Sequence, residues 1–271
     1  MGLTEQALQH AAGLSSGGVV DPELRVTLNF HPDRWVRGRL VLDALAADGV
    51  YVSQFVTRIS NGGLTAHPGG DRWRWESRIF GGAYDGASSG ERPVYGALNF
   101  RRKVVGGAPR FGSAHLRLSA EGLARSTFCY PDSCFEPEHF GVADRMALIA
   151  MAEAAESDVL DDYVEAQVHG PVRLDRDVEA VVLDPSYRST PVESAAERLP
   201  CPVEWHGGFR LTVDVLREHS DYRGPEYVEL GKRIAVDGVL TPQVIGDAGG
   251  EYDVQDLKRL WHCVARFGLR G

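Results

Sequence analysis

The chain has 271 residues, 43% of them hydrophobic and 9% aromatic, with 38 acidic against 29 basic side chains and a net charge of −9. That length buries a real core as one large domain or two small ones, and the acidic balance excludes a general nucleic-acid binder. No apolar run approaches a membrane span, and Met1 to His10 lacks the basic start and apolar centre of a secretory signal, so the expected location is the cytoplasm, or export by a dedicated machine without signal cleavage.

In chain order, Leu3 to Leu14 predicts a short amphipathic helix ended by Ser15-Ser16-Gly17-Gly18. Arg25 to Phe30 alternates as a strand and runs into the polar turn His31-Pro32-Asp33-Arg34. Gly38 to Ala47 carries Leu40, Val41, Ala44 and Leu45 on one helical face and stops at Asp48-Gly49. Tyr51 to Ile59 reads as a strand or mixed segment. Ser60 to Gly90 interleaves Gly62-Gly63, Gly69-Gly70 and Gly81-Gly82 with Trp73, Trp75, Phe80 and Tyr84, which predicts a long functional loop that covers a ligand. Arg72, Arg74, Arg78, Arg92, Arg101 and Arg102 form a local basic region suited to phosphates.

Further strands are expected at Ser113 to Ser119 and Arg125 to Tyr130, the latter turned by Pro131-Asp132-Ser133, and a further segment at Pro93 to Phe100. Asp144 to Glu156 is the strongest helix by composition. In Tyr163 to Val172, Val164, Ala166 and Val168 face one side of a strand, and Tyr163, Glu165, Gln167 and His169 the other. A carboxylate and an amide side by side on a sheet face orient a polar ligand; the plainer reading is the wet face of an edge strand. Val178 to Leu183 follows as the partner of a hairpin or adjacent pair. Beyond Pro191 the texture is helical, at Ser194 to Leu199, Thr212 to Glu218, Gly224 to Val236 and Val254 to Phe267.

Chemical templates narrow the field. The sequence has no strand-borne Gly-x-Ser-x-Gly elbow, no phosphate-binding GxxxxGK[ST], no strand-borne GxGxxG and no His-Glu-x-x-His. Cys129, Cys134 and His139 are spaced too loosely for a zinc knuckle, so the cysteines read as buried thiols and no metal is expected.

What remains is a series of polar groups on short strands: His31 and Arg34 early, Tyr95 in the middle, Ser126 and Thr127 next, and Glu165 with Gln167 late. That order resembles the ADP-ribosyltransferase superfamily. Its split β-sheet carries His or a basic residue on an early strand, Tyr or Ser/Thr in the middle, and a late Glu that often has Glu or Gln two residues away. Asn61-Gly62-Gly63-Leu64 resembles the family's Gly-Leu turn. Most of the chain also resembles a bacterial family of uncharacterised proteins sharing Asn-Phe-His-Pro-Asp-Arg and Arg-Pro-Val-Tyr-Gly-Ala-Leu.

The resemblance implies an α+β fold with a split mixed β-sheet core over residues 20–190 and an appended helical C-terminal part over 191–271. It implies NAD as substrate, with Glu165, Gln167 and His31 catalytic. Arg34, Asn61, Gly62, Gly63, Tyr84, Tyr95, Ser126 and Thr127 would bind NAD. In many members the second position of the late pair is the catalytic Glu. Here that position is Gln167, so either residue of the pair is a candidate. His31 and Tyr95 match a His-Tyr-Glu pattern; Arg25 or Arg34 would serve an Arg-Ser-Glu pattern. The expected reaction cleaves the nicotinamide–ribose bond and passes ADP-ribose to water or to an acceptor, protein or nucleic acid. Another nucleotide-handling transferase on the same fold, or a non-catalytic binding module, are the rival readings.

Overall fold

A computed structural model of the chain describes residues 1–36, 38–57 and 64–269. Its centre is one mixed eight-stranded sheet. We number the strands along the chain as β1 Val26–Phe30, β2 Val94–Leu98, β3 Ala114–Leu118, β4 Ser126–Tyr130, β5 His139–Val142, β6 Val164–Val168, β7 Val178–Leu183 and β8 Val203–Trp205. Across the sheet they run β8-β7-β3-β1-β2-β6-β4-β5. Only β7 and β8 are parallel; the other neighbours are antiparallel.

Side-chain alternation sorts the sheet into two unlike faces. Val26, Leu28, Phe30, Leu98, Leu116, Leu118, Phe128, Val164, Ala166, Val168, Val181 and Leu183 meet in one apolar cluster. Leu42 and Leu45 from the Val41–Asp48 helix, Leu148 and Ala152 from Leu148–Ala154, and Val192 with Ala195 from Pro191–Ala196 cover it. The opposite face carries Thr27, Asn29, Tyr95, Ala97, His115, Thr127, Cys129, Glu165 and Gln167. It too is covered, so Glu165, Gln167, Thr127 and His115 are buried.

The sheet is nearly cut in two. β2 and β6 share five residue pairs, Val94↔Val168 through Leu98↔Val164. β1 and β2 share only Val26↔Leu98 and Thr27↔Ala97. Past that point Leu28 to Phe30 bond to β3 alone, and Tyr95 and Val94 to β6 alone. Gly96 sits at the fork, where a methyl group would lie 2.5 Å from both Leu28 Cδ2 and the Thr27 carbonyl oxygen.

Several expectations need correction. The predicted loop Ser60 to Gly90 contains a helix, Asp71–Ile79, whose buried residues Arg72, Trp75, Glu76 and Ile79 recur at helical spacing. Two of the four are charged, which hid the stripe. Thr65 starts it, its hydroxyl accepting from Asp71 N at 2.8 Å. β6 and β7 are not adjacent; β2, β1 and β3 lie between them. The link carries Val172–Arg173, which pairs with Val50–Tyr51 instead. β6 is a central strand with both faces covered, not a wet edge. The Asp144 start is a turn, and the helix there begins at Leu148. Strand β5 and the Pro242–Asp247 helix were missed.

Beyond residue 190, β8 adds to the main sheet, and the helices Val213–Glu218, Pro225–Ile234, Pro242–Asp247 and Val254–Phe267 pack round Leu216, Leu230, Ile245, Leu257, Leu260, Trp261 and Val264. Val105 and Leu160 join that cluster. Among the described residues no helix is long and apolar enough to cross a membrane.

Gly96→Ala should therefore destabilise the protein by about 2 kcal/mol or more, because backbone stands on one side of the new methyl. Thermal unfolding reads this as a lower Tm, whereas an alanine at solvent-exposed Gly86 should change little.

Candidate functional site

The fork between β1 and β2 opens into two adjoining cavities, the inner one on the polar face and the outer one reaching residues of the apolar face. The inner one, about 70 Å³, is walled by Glu165 of β6, Tyr95, Gly96 and Ala97 of β2, Thr27 and Asn29 of β1, and Arg72, Asp132, Tyr163 and Phe111. Small residues on β2 leave the space that Glu165 faces; Ala97 is its direct cross-strand partner. The outer cavity, about 170 Å³, is more apolar and is lined by His31, Arg34, Phe30, Leu45 and Val94. Tyr51, Gln54 and Tyr95 are walls of both. The carbonyl oxygen of the Gln54 side chain is buried and has no hydrogen-bond partner among the described residues.

Glu165 is held from both sides. Its Oε2 accepts from Ser133 Oγ at 2.9 Å and from Ser133 N at 3.3 Å; its Oε1 accepts from Gln167 Nε2 at 2.9 Å. Loss of hydration, and then the charge of Asp132, push its pKa up to about 7, while Arg72, Ser133 and Gln167 pull the other way. Arg72 donates to Ser133 Oγ at 2.8 Å, and its guanidinium lies 4.0 Å from the centre of the Tyr95 ring. Tyr95 in turn donates to Glu76 Oε1 at 3.0 Å, and Glu76 is paired with Arg92 at 2.6 Å in a fully buried ion pair. Burial raises Glu76 to about 7 against the pull of Arg92. Tyr163 donates to Asp132 and sets its ring edge-on to Phe111, centroids 5.8 Å apart.

His31 stands on the other lip of the fork. Its ring meets Trp261 edge-on at 5.3 Å, and Trp261 Nε1 is anchored on the Pro109 carbonyl at 3.0 Å. Desolvation, then Arg34, His262 and Lys258, lower His31 to about 3, so it is a neutral hydrogen-bonding group at physiological pH.

The expected site residues divide. Glu165 and Tyr95 wall one cavity, and His31 and Arg34 share the next with Tyr95. Gln167 and Thr127 lie beneath: the amide of Gln167 is bonded to Glu165, Thr127 and Cys129 and is fully buried, and neither residue is among the walls of the two cavities. Tyr84, also fully buried, is bonded to His169 rather than exposed to the cavities. Ser126 points to the opposite sheet face and donates to the Gly122 carbonyl at 2.7 Å. Asn61, Gly62 and Gly63 lie outside the described residues. The basic region disperses: Arg72 and Arg92 are buried, while Arg74, Arg101 and Arg102 pair with Asp71, Asp162 and Asp21. Of the cysteines, Cys134 is exposed.

Asp132 and Ser133 were not expected in the site; Tyr163 was expected on the face of Glu165 and Arg72 in a phosphate-binding basic region, but neither was assigned a role beside the carboxylate. The signal for Ser133 was a Pro-Asp-Ser turn directly after a strand; Arg72 and Glu76 were four apart in an unrecognised helix. Chemically, the arrangement offers an enclosed, aromatic-walled carboxylate that can stabilise a cation or hold a proton. Among the described residues no cluster of His, Cys, Asp and Glu is suited to hold a metal.

A family described as a protein of unknown function, DUF3626, matches the chain over residues 25–157 and 143–262, and the chain belongs to it. Among curated proteins none matches the chain.

Gln167→Glu would set two carboxylates 2.9 Å apart in this site. They cannot both ionise, so a shared proton is held more tightly in the folded than in the unfolded chain. Stability from that proton is complete below the unfolded carboxylate pKa and is lost as pH rises through the raised folded value. The variant should melt close to wild type near pH 5 and fall on the order of 3 kcal/mol below it near pH 8.

Proposed function

We propose that the chain is an NAD-dependent ADP-ribosyltransferase or NAD glycohydrolase with Glu165 as its working carboxylate. One observation carries this reading. The early, middle and late strands that the resemblance requires are neighbours, β1-β2-β6, and His31, Tyr95 and Glu165 reach adjoining cavities at the fork between them. The ADP-ribosyltransferase type of split sheet is part of the same proposal.

The chemistry follows from the geometry. Breaking the nicotinamide–ribose bond builds positive charge on the ribose. A buried carboxylate held by Ser133 and Gln167 stabilises that charge without having to reorganise. Nicotinamide leaves with the bonding electron pair, and the ribose carbon is taken by water or by an acceptor nucleophile. Tyr95 supplies an aromatic wall, neutral His31 a hydrogen bond, and Arg34 a positive charge for the diphosphate. No metal is required. Either a protein or a nucleic acid fits as acceptor.

A non-catalytic binding module is favoured by one feature: Arg72 already lies on the Tyr95 ring. Turnover separates the two readings. Nicotinamide release from NAD should be measurable, and Glu165→Gln should lower it about a hundredfold or more with little change in NAD affinity. NAD that raises the Tm without any nicotinamide release would favour the binding module.

The working form of Glu165 is ionised and its pKa is raised, so turnover should climb as pH rises through about 7 and be lost in acid. A pH profile flat from about 5 to 8 would remove Glu165 from the mechanism.

A further inference from the structure

Behind the inner cavity, four buried side chains are hydrogen-bonded in a single direction. Gln167 Nε2 donates to Glu165 Oε1 at 2.9 Å, so its oxygen faces away and accepts from the Thr127 hydroxyl at 2.9 Å. Having given its proton to Gln167, Thr127 Oγ1 can only accept from His169 Nε2, 3.0 Å away. His169 is then neutral with its proton on Nε2, and Nδ1 accepts from the Tyr84 hydroxyl at 2.8 Å. Gln167, His169 and Tyr84 have no exposed surface and Thr127 almost none, so water does not interrupt the series. Reversing one link would set two donors or two acceptors face to face; the links reverse together or not at all.

Ionised Glu165 only accepts, and so selects this direction. Protonated Glu165 has a donor to offer, which fits the opposite one. Gln167 then turns its oxygen to the carboxyl and its nitrogen to Thr127, Thr127 donates to His169 Nε2, and the His169 proton sits on Nδ1 toward the Tyr84 oxygen. We propose that Tyr84, His169, Thr127 and Gln167 form a positioning relay that keeps the Glu165 carboxylate turned to the cavity and converts its protonation state into the tautomer of His169. The catalytic meaning of the relay rests on the transferase reading above; the relay itself does not.

The neighbouring groups allow this. Glu165 also faces Asp132, Arg72, Tyr95, Tyr163 and the Cys129 thiol, while His169 faces Arg125 and the edge of Phe80. Burial lowers His169 to about 3, so near neutral pH its proton changes position rather than number.

Nuclear magnetic resonance of the intact chain tests the relay without NAD. The ¹⁵N shifts of His169 should pass from the Nε2–H to the Nδ1–H pattern on acidification, with the midpoint of the Glu165 carboxyl ¹³C signal. Thr127→Val should uncouple the two midpoints and move the acid limb of nicotinamide release to higher pH, leaving KM for NAD little changed. Thr127→Ser should restore both. A His169 that keeps one tautomer while Glu165 titrates in wild type overturns the relay. Coupled midpoints in a protein that releases no nicotinamide would uphold the relay and overturn the transferase reading alone.

Discussion

A carboxylate placed at the middle of a doubly covered sheet must be supplied with hydrogen-bond donors or give up its charge. Much of the polar face answers that requirement at Glu165. Ser133 arrives from the turn after β4 and gives both its amide and its hydroxyl. Gln167 comes from the same strand, two residues on, where the strand repeat brings it alongside. Arg72 completes the set from a helix that crosses the face, reaching Glu165 through the Ser133 hydroxyl. Replacing these groups by apolar ones would make a simpler core, as buried ionic clusters are weak contributors to stability. Their presence beside a cavity accords with the role proposed for Glu165.

How far the sequence revealed this depends on the residue. β6 was legible because its period of two is clean, with Val164, Ala166 and Val168 against Glu165 and Gln167, and the two faces formed as that period requires. The Val254–Phe267 helix was legible for the same reason at helical period, with Leu257, Leu260, Trp261 and Val264 on the inside. The Asp71–Ile79 helix was hidden because Arg72 and Glu76 occupy its buried face and glycines flank it. Periodicity reads apolar residues, and here the buried residues are charged and satisfied by one another. Strand order was beyond local pattern: nothing between Gly170 and Asp177 announces that β7 pairs with β3 rather than β6. The depth of Gln167 and Thr127 was equally hidden, since a polar side chain on a strand looks the same facing a ligand or facing another polar side chain.

The C-terminal helices take part in the site without lining the inner cavity. Trp261 stands against His31 and is fixed to Pro109, so the lip of the fork formed by β1 rests on the Val254–Phe267 helix. Asp33, two residues after His31, accepts from Tyr187 at 2.8 Å. The turn after β1 is thereby tied to elements far along the chain, which suits a group that must keep its direction inside a cavity.

The fork has a topological side as well. One half of the sheet is made of β8, β7, β3 and β1, the other of β2, β6, β4 and β5, and the chain passes between them repeatedly. Where hydrogen bonds across the seam are few, covalent crossings take their place: the polypeptide laces the two halves together like a shoe. No single cut in the sequence separates them, so neither half is available to a fragment. The cavity at the seam belongs to the whole chain, and a truncated form that kept every residue lining it would still lack the walls that hold them apart.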